Sequence, residues 1–478
     1  MILTRHDRRV RVARVTVEAV SPLHCGSGRG DDVSDADVLR DMNDLPTIAG
    51  TSLAGVLRAM FRAAGADQLR EAALFGDQEQ GSRLTVSFGL VVDGRGRVVE
   101  GLLPSDRDDD VLKLLRPLDT PLRKHVRITD RGVADAEGRG LFDERIVPAG
   151  TRFVFELGLA GGGGGEERDF DLLLDIVRGG LRVGGRTRRG LGLLRPIRIA
   201  SRSFDLAQES DRSAFASLPT PLEENASVLQ ESPLGPGAPG SRPTLRLLLR
   251  PRTPWAIGSD TPWRQRGKDQ NEEDISIYRE PAILWGKDGR GRPEERVVVP
   301  ATSIKGVLAH RVAWHANVAA LRAGRVEDAR TGRPGFEAVA MLFGSEGSGA
   351  AGNEVGGGDA RAGIVYVDDA VLNPSPEIDK TVLLTHSGID RFTGGVREGV
   401  LFSERLVAPG TPFETRLEID DRAGHDVPAS ARESLRLALE DLREGKWQIG
   451  QGYGRGHGWV EGEIEWLQGA DWLTKGDR

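Results

Sequence analysis

The chain of 478 residues is written twice, and that constrains its fold more than any other feature. Leu141-Phe-Asp-Glu-Arg145 and the residues up to Leu157 align without a gap on Leu401-Phe-Ser-Glu-Arg405 and the residues up to Leu417, with nine of 17 positions identical. The same offset pairs Asp130-Arg131 with Asp390-Arg391. Other pairs recur in the same order. Ile48 to Leu57 matches Val299 to Leu308, Leu74-Phe75-Gly76 matches Leu342-Phe343-Gly344, and the glycine-rich run Val183 to Gly192 matches Ile449 to Gly458. The starts agree as well, Ser21 to Ser27 against Thr253 to Ser259. Ordered self-similarity at this period means one structural unit used twice.

The repeat sets the domain boundaries expected here: a first domain over 1–210, a linker over 211–243 and a second domain over 244–478. Residues 217–243 are rich in Pro, Gly and Ser, a composition that suits a mobile tether. Gly161 to Gly165 and Ser345 to Asp359 read as flexible loops. No stretch approaches the ~18 apolar residues of a membrane span. The first residues lack the hydrophobic core of a signal peptide. The single cysteine, Cys25, rules out an internal disulfide framework and a multi-cysteine zinc site. A cytoplasmic location is expected. Net charge is −7, yet residues 178–198 hold seven arginines and no acid, a local anion-binding stripe on an acidic protein.

Within each copy the pattern runs strand, helix, two strands, helix, strand. Val12 to Val20 alternates as a strand, with Ala13, Val15, Val17 and Ala19 on one face, and the run from Thr244 takes that role in the second copy. Leu53, Val56, Leu57, Met60 and Phe61 fall at helical spacing, with Thr51 or Ser52 as cap. Strands follow at Leu84 to Leu90 and Gly363 to Val367. A second helix is expected over about 170–178 and 433–442. The predicted fold class is α+β, two tandem ferredoxin-like domains with insertions, a fold that also serves RNA recognition.

Four residue patterns carry possible chemistry. The glycine-rich turns let backbone amides approach phosphate oxygens, with Gly184 as the candidate in the first. Arg186, Arg188, Arg189 and Arg455 would add bidentate pairing. The plain alternative is a tight helix-to-strand turn. The helix starts offer amides and hydroxyls at Ser52 and Ser303, with Lys305 just inside the second; simple capping is the alternative. Acidic loops, 31–37 and 269–274, recur between the first strand and first helix, where carboxylates can hold Mg²⁺ or stand solvated. The eight histidines show no metal-site spacing, and nucleophile-elbow and Walker motifs are absent.

Taken in order, Val38-Leu-Arg-Asp41, Leu45 to Gly55, Leu-Phe-Gly, Asp-Arg, Leu-Phe-Asp-Glu-Arg and the glycine-rich loop resemble the RAMP superfamily of CRISPR proteins. Each copy looks like the backbone subunit of type III CRISPR effector complexes, and the fusion resembles the tandem subunit of type III-D variants. The resemblance implies a ribonucleoprotein whose partners are CRISPR RNA, target RNA and other effector subunits. It implies a thumb-like hairpin that flips target bases, with the Asp-Arg segments at its base. It further implies that an aspartate just before a hydrophobic-hydrophobic-basic-acidic tetrad cleaves target RNA with Mg²⁺ or another divalent cation. The tetrads Val38 to Asp41 and Ile277 to Glu280 place these metal-holding, catalytic residues at Asp35 and Asp274. Asp32, Asp37 and Asp269 compete with them. Ala54 stands where Lys305 keeps the family's basic residue. A catalytically silent guide-RNA scaffold, a CRISPR-RNA-processing endoribonuclease using His24, and a ligand-binding protein outside RNA biology are the competing readings.

Overall fold

The computed structural model describes residues 8–28, 30, 35–104, 108–126, 141–161, 164–222, 226–235, 242–258, 277–345, 360–372, 381–421 and 427–474. The chain divides into two units. Unit 1 comprises residues 1–187, 191–240 and 281–294; unit 2 comprises 188–190, 241–280 and 295–478.

In unit 1 the elements are β1 (Arg9–Ala19), α1 (Gly50–Ala63), α2 (Gln68–Phe75), β2 (Leu84–Val86), β3 (Leu90–Val91), α3 (Asp110–Leu115), β4 (Leu122–Val126), β5 (Leu141–Arg145), β6 (Arg152–Ala160), α4 (Gly164–Arg178), β7 (Leu181–Arg182), β8 (Leu193–Asp205), α5 (Glu209–Ala216) and β9 (Gln230–Glu231). Its main sheet is antiparallel in the order β2-β6-β1-β8-β7, with β3 added on β6 and β9 on β8. That is the ferredoxin-like order, in which the central strand β1 is flanked by the two strands that bracket the second helix. Ala13, Val15, Val17 and Ala19 face the core and are at most 1% exposed. They meet Leu53, Leu57 and Phe61 of α1 and Phe170, Leu173, Leu174 and Val177 of α4. Spacing of three and four residues puts each of these sets on one helical face, and burying such side chains contributes about 1.5–3 kcal/mol apiece.

Unit 1 also takes in residues 281–294, the outer part of a hairpin that belongs to the second sequence copy. The Ile283 amide donates to the Ala149 carbonyl at 2.8 Å and Trp285 Nε1 to the Gly150 carbonyl at 2.7 Å. Ile283 joins the unit 1 core, and Arg152 stacks over Trp285 with 3.8 Å between guanidinium carbon and ring centre.

Unit 2 and that hairpin run β10 (Thr244–Pro251), β11 (Arg279–Trp285), β12 (Gly291–Val299), α6 (Ala301–Arg322), α7 (Val326–Thr331), α8 (Arg333–Phe343), β13 (Gly344–Ser345), β14 (Arg361–Ala362), β15 (Val365–Val367), β16 (Ala370–Val371), β17 (Thr381–His386), β18 (Phe402–Val407), β19 (Phe413–Ile419), α9 (Ala429–Arg443), β20 (Trp447–Gln448) and β21 (Trp459–Gln468). Its sheet order, β15-β19-β10-β21-β20, is the unit 1 order again, element for element. Helices α6 and α9 cover the core face, where Ile304, Leu308 and Val312 meet Leu435, Ala438, Leu439 and Leu442. The carboxylate of Asp441 ties them together, accepting from Arg311 Nε and His315 Nε2, each at 2.7 Å. The fold is therefore two tandem ferredoxin-like domains, each carrying a separate two-stranded hairpin, β4-β5 and β17-β18.

Several local expectations change. Neither first helix is capped by its Thr or Ser. Helix α1 starts after Ala49 and α6 after Pro300, without a side-chain cap, so Ser52 and Ser303 lie inside the first turn. An extended residue at each N-cap position lets the helix begin earlier than the hydroxyls suggest. In α6 a carboxylate remote in sequence serves instead: Asp369 Oδ1 accepts the Ala301 amide at 2.7 Å. Of the stretch 217–243, residues 223–225 and 236–241 lie outside the described residues. Its described part, 217–222 and 226–235, is not a bare tether, because Leu229 is 7% exposed and β9 extends the sheet. It covers Val10, Val12, Ala200 and Phe204 on the outer sheet face, apolar area that would otherwise meet water. Gly164 and Gly165 belong to α4. Asp390 lies in the loop joining β17 to β18, not at the hairpin base. Its carboxylate accepts the Phe392 and Thr393 amides at 2.9 Å. Residues 130–131 and 346–359 lie outside the described residues.

Candidate functional site

Both glycine-rich turns are held by the same constraint. Gly184 has φ +86° and a Cβ there would sit 2.3 Å from the His24 carbonyl oxygen; Gly450 has φ +76° and would place a Cβ 2.1 Å from the Ala256 carbonyl oxygen. The backbone is that close because the turn hydrogen-bonds the loop after the first strand. The Gly185 amide donates to His24 O at 2.7 Å, and Gln451 to Ala256 O at 3.0 Å. Further along, the Gly192 and Gly458 amides donate to the carbonyls of Pro22 and Pro254, at 2.7 and 3.0 Å. Only glycine fits such a left-handed, tightly apposed backbone.

Each turn sends one arginine to a buried glutamate on the neighbouring hairpin. In unit 1, Arg186 pairs with Glu144 Oε2 while His125 Nε2 lies 2.7 Å from Oε1. In unit 2, Arg455 Nη2 donates to Glu404 Oε2 at 2.8 Å, and His386 Nε2 lies 2.8 Å from Oε1. Both glutamates are 0% exposed. Each histidine stacks on the phenylalanine of the partner strand's motif, His125 on Phe142 and His386 on Phe402, with ring centres 4.7 and 4.9 Å apart. The guanidiniums lie over the same rings, at 4.7 Å for Arg186 and 5.7 Å for Arg455. Burial pushes the Glu144 carboxyl up, but the His125 hydrogen bond and the Arg186 charge outweigh it and hold its pKa below the ordinary value.

A second imidazole reaches each cluster from a different place. His24 Nδ1 lies 2.8 Å from the carbonyl oxygen of Arg145, the residue after Glu144. His457 Nδ1 lies 3.4 Å from Glu404 Oε1. Burial lowers the His457 pKa more than the Glu404 charge raises it.

Arg188, Arg189 and Lys305 form a basic locus in unit 2. Lys305 Nζ donates to the carbonyls of Arg188 and Phe343 at 3.2 and 3.3 Å. Burial, helped by the charges of Arg189 and Arg188, pushes its pKa down to about 8. Arg188 also stacks over Tyr366 at 5.0 Å. Ser52 is exposed and Ser303 half-buried, each with its amide bonded back to residue 49 or 300.

Asp35 is exposed and faces Asp143 of β5. The Asp35 amide donates to Asp143 Oδ1 at 2.9 Å and the Asp143 amide to Asp35 Oδ2 at 3.1 Å. Asp37 instead turns inward, 3.7 Å from Arg40 and from Arg145. Asp32, Asp269 and Asp274 lie outside the described residues. Among the described residues no group of three or more His, Cys, Asp or Glu could hold a metal ion. Two hard carboxylates still suit Mg²⁺, which takes one or two of them and completes its shell with water and phosphate oxygens. Sequence reasoning passed over Glu144, Glu404, His125 and His386. The usable signal was the repeated Leu-Phe-X-Glu-Arg motif, whose glutamate sits where a strand would bury it.

Among the described residues no helix is long and apolar enough to cross a membrane. No curated protein matches the chain. Solved structures similar to part of it include the type III-B Cmr-beta complex in its apo state, 16% identical with a TM-score of 0.32 over 39% of this chain and 97% of that one. The same complex bound to cognate target RNA is 15% identical with a TM-score of 0.31, over 39% and 96%. The RAMP superfamily model matches residues 16–195 and 249–461, one region in each sequence copy. With both copies matched, the chain belongs to the RAMP superfamily as a tandem of two such domains.

Proposed function

We propose that this chain is a backbone subunit of a type III CRISPR RNA-guided effector complex. It binds CRISPR RNA through both glycine-rich turns and cleaves complementary target RNA at Asp35 and Asp274. The observation that carries the reading is the twofold recurrence, in a RAMP tandem, of a tightly held glycine turn that presents a partly exposed arginine. Contacts of this kind address phosphates and ignore bases, which suits a protein whose specificity comes from the guide. Gly184, Arg186, Arg188 and Arg189 serve the first turn and Arg455 the second. Ser52, Ser303 and Lys305 add donors at the helix starts.

For cleavage, Asp35 and Asp143 would hold a divalent cation, which when bound polarises the scissile phosphate and stabilises the charge that develops there. Asp35 is placed at the exposed end of this pair, where its carboxylate can take the proton of a target 2′-hydroxyl. Asp143 orients the Asp35 backbone by the paired hydrogen bonds described above. Partners are CRISPR RNA, target RNA and the other effector subunits.

The test is cleavage of end-labelled complementary RNA by the reconstituted complex, comparing wild type, Asp35→Ala and Asp274→Ala, each in Mg²⁺ and in EDTA. One product should vanish per variant while target binding persists, and EDTA should abolish all of them. Unchanged products from both variants would leave the chain a guide-RNA scaffold.

A further inference from the structure

Glutamates with no exposed surface are costly to keep in a sheet, and this chain keeps one in each unit at the same motif position. We propose that Glu144 and Glu404 are positioning residues that aim the turn arginines Arg186 and Arg455 at an RNA phosphate, an inference that rests on the RNA-backbone reading above.

The geometry is one-sided in both units. The carboxylate is fully enclosed, whereas the arginine it holds keeps 29% of its side chain exposed in unit 1 and 41% in unit 2. One edge of each guanidinium is therefore committed to protein while the rest faces solvent. The phenyl ring of Phe142 or Phe402 supports one face of the group. Arg186 even accepts a left-handed backbone, φ +55°, to reach this position. A planar fork held on one edge and one face loses little rotamer freedom when a phosphate takes its remaining N–H groups. An arginine swinging free from a glycine-rich turn would lose far more.

The histidines complete the arrangement by a route that sequence alignment hides. Both units hold a hairpin histidine, His125 or His386, on the glutamate. A second imidazole lies beside each, on the Arg145 carbonyl in unit 1 and 3.4 Å from Glu404 Oε1 in unit 2, from positions that do not correspond. His24 precedes the first acidic loop, and its counterpart in the second copy is Ala256. His457 lies in the second glycine turn, and its counterpart in the first is Leu191. Each cluster thus has an additional histidine beside it, drawn from a different part of the repeat. A bare hairpin-to-turn clamp needs only the glutamate and the arginine.

Positioning and plain electrostatics predict opposite signs. Deleting a carboxylate near a polyanion should tighten binding through charge alone. If the carboxylate acts by holding the arginine, deleting it should weaken binding. The experiment measures affinity of the full chain for a fluorescently labelled single-stranded RNA across a salt series. The variants are Glu404→Gln, Arg455→Ala and the two combined, with Glu144→Gln and Arg186→Ala as the unit 1 set. Arg455→Ala should weaken binding about three- to tenfold and lower the salt slope by about one. Glu404→Gln should weaken it by a similar factor, and the double variant should be no weaker than Arg455→Ala alone. Equal or tighter binding by Glu404→Gln overturns the positioning role. So does a double variant whose loss is the product of the two single losses, which is what general damage to the hairpin would give. If Arg455→Ala and Arg186→Ala change neither affinity nor salt slope, the phosphate reading of the turns falls, and the positioning inference falls with it.

Discussion

Gly450→Ala measures how much of the glycine-rich turn is geometry and how much is sequence bias. At φ +76° an alanine enters the left-handed region, at about 1–2 kcal/mol. Its Cβ would lie 2.1 Å from the Ala256 carbonyl oxygen and 2.9 Å from the carbonyl carbon, so backbone must move. Forcing a group into a filled space typically costs a further 1–3 kcal/mol. The sum, about 2–5 kcal/mol, amounts to roughly 2–4 °C of melting temperature per kcal/mol for a unit of this size. Gly454 supplies the control, since it belongs to the same turn, is exposed and has nothing within 4 Å of its Cβ. Gly454→Ala should stay within about 0.5 kcal/mol of wild type. Thermal melts and urea midpoints of the two variants answer the question directly. Coincident curves for Gly450→Ala and Gly454→Ala would mean that the turn relaxes freely and does not rest on the loop after the first strand. The same substitution at Gly184, with 2.3 Å to the His24 carbonyl, should reproduce the loss in unit 1.

Two further outcomes follow from charge. Glu71 accepts from Arg58 Nε at 2.6 Å and Arg62 Nε at 2.7 Å, and these bonds hold its pKa down to about 2, against an ordinary 4.5. Its stabilising contribution is full above pH 4.5 and is lost as pH falls from there through 2. Glu71→Gln should therefore cost about 1–3 kcal/mol at pH 7 and show a flatter acid limb, while a wild-type acid limb in the variant would contradict the assignment. Lys305 runs the other way: its folded pKa of about 8 lies below the ordinary 10.5, so the unfolded chain holds the extra proton between those values. Stability should rise with pH across that window, and RNA affinity should fall as pH climbs past about 8, because a phosphate takes only the charged amine. Anisotropy at pH 7 and pH 9 with Lys305→Met as comparison checks this, and an identical pH response in the variant would remove Lys305 from the RNA contact.

The architecture was legible wherever periodicity and repetition agreed. Ala13, Val15, Val17 and Ala19 could be placed on one strand face because side chains alternate, and Leu53, Leu57 and Phe61 on one helix face because they recur every four residues. What escaped was set by distant chain segments. The cap of α6 comes from Asp369, 68 residues further on, and no local pattern announces it. Leu229 and β9 sit in a run of turn-forming residues, so composition masked a strand that a neighbouring edge makes possible. The histidines looked scattered because their shared partner is a glutamate on another strand. Only the ladder pairing that sets His125 opposite Phe142, and His386 opposite Phe402, reveals the cluster.

Comparing the two copies position by position shows a division of labour. Unit 1 has Asp143 beside Asp35; the residue matching Asp143 in the second copy is Ser403, and the second acidic loop lies outside the described residues. Unit 2 has Lys305 in its helix start, where unit 1 has Ala54, so the buried amine belongs to the second. The arginine–glutamate–histidine cluster is present in both, even though one imidazole had to be supplied from elsewhere. A duplicated domain is free to drop a residue whose job the other copy performs. It is not free to drop one needed at each point where the chain meets a repeating polymer, because phosphates recur along the strand and every grip must hold its own. On that reasoning the cluster is the feature expected to serve a contact repeated along an RNA strand, and losing it from either copy should weaken RNA binding.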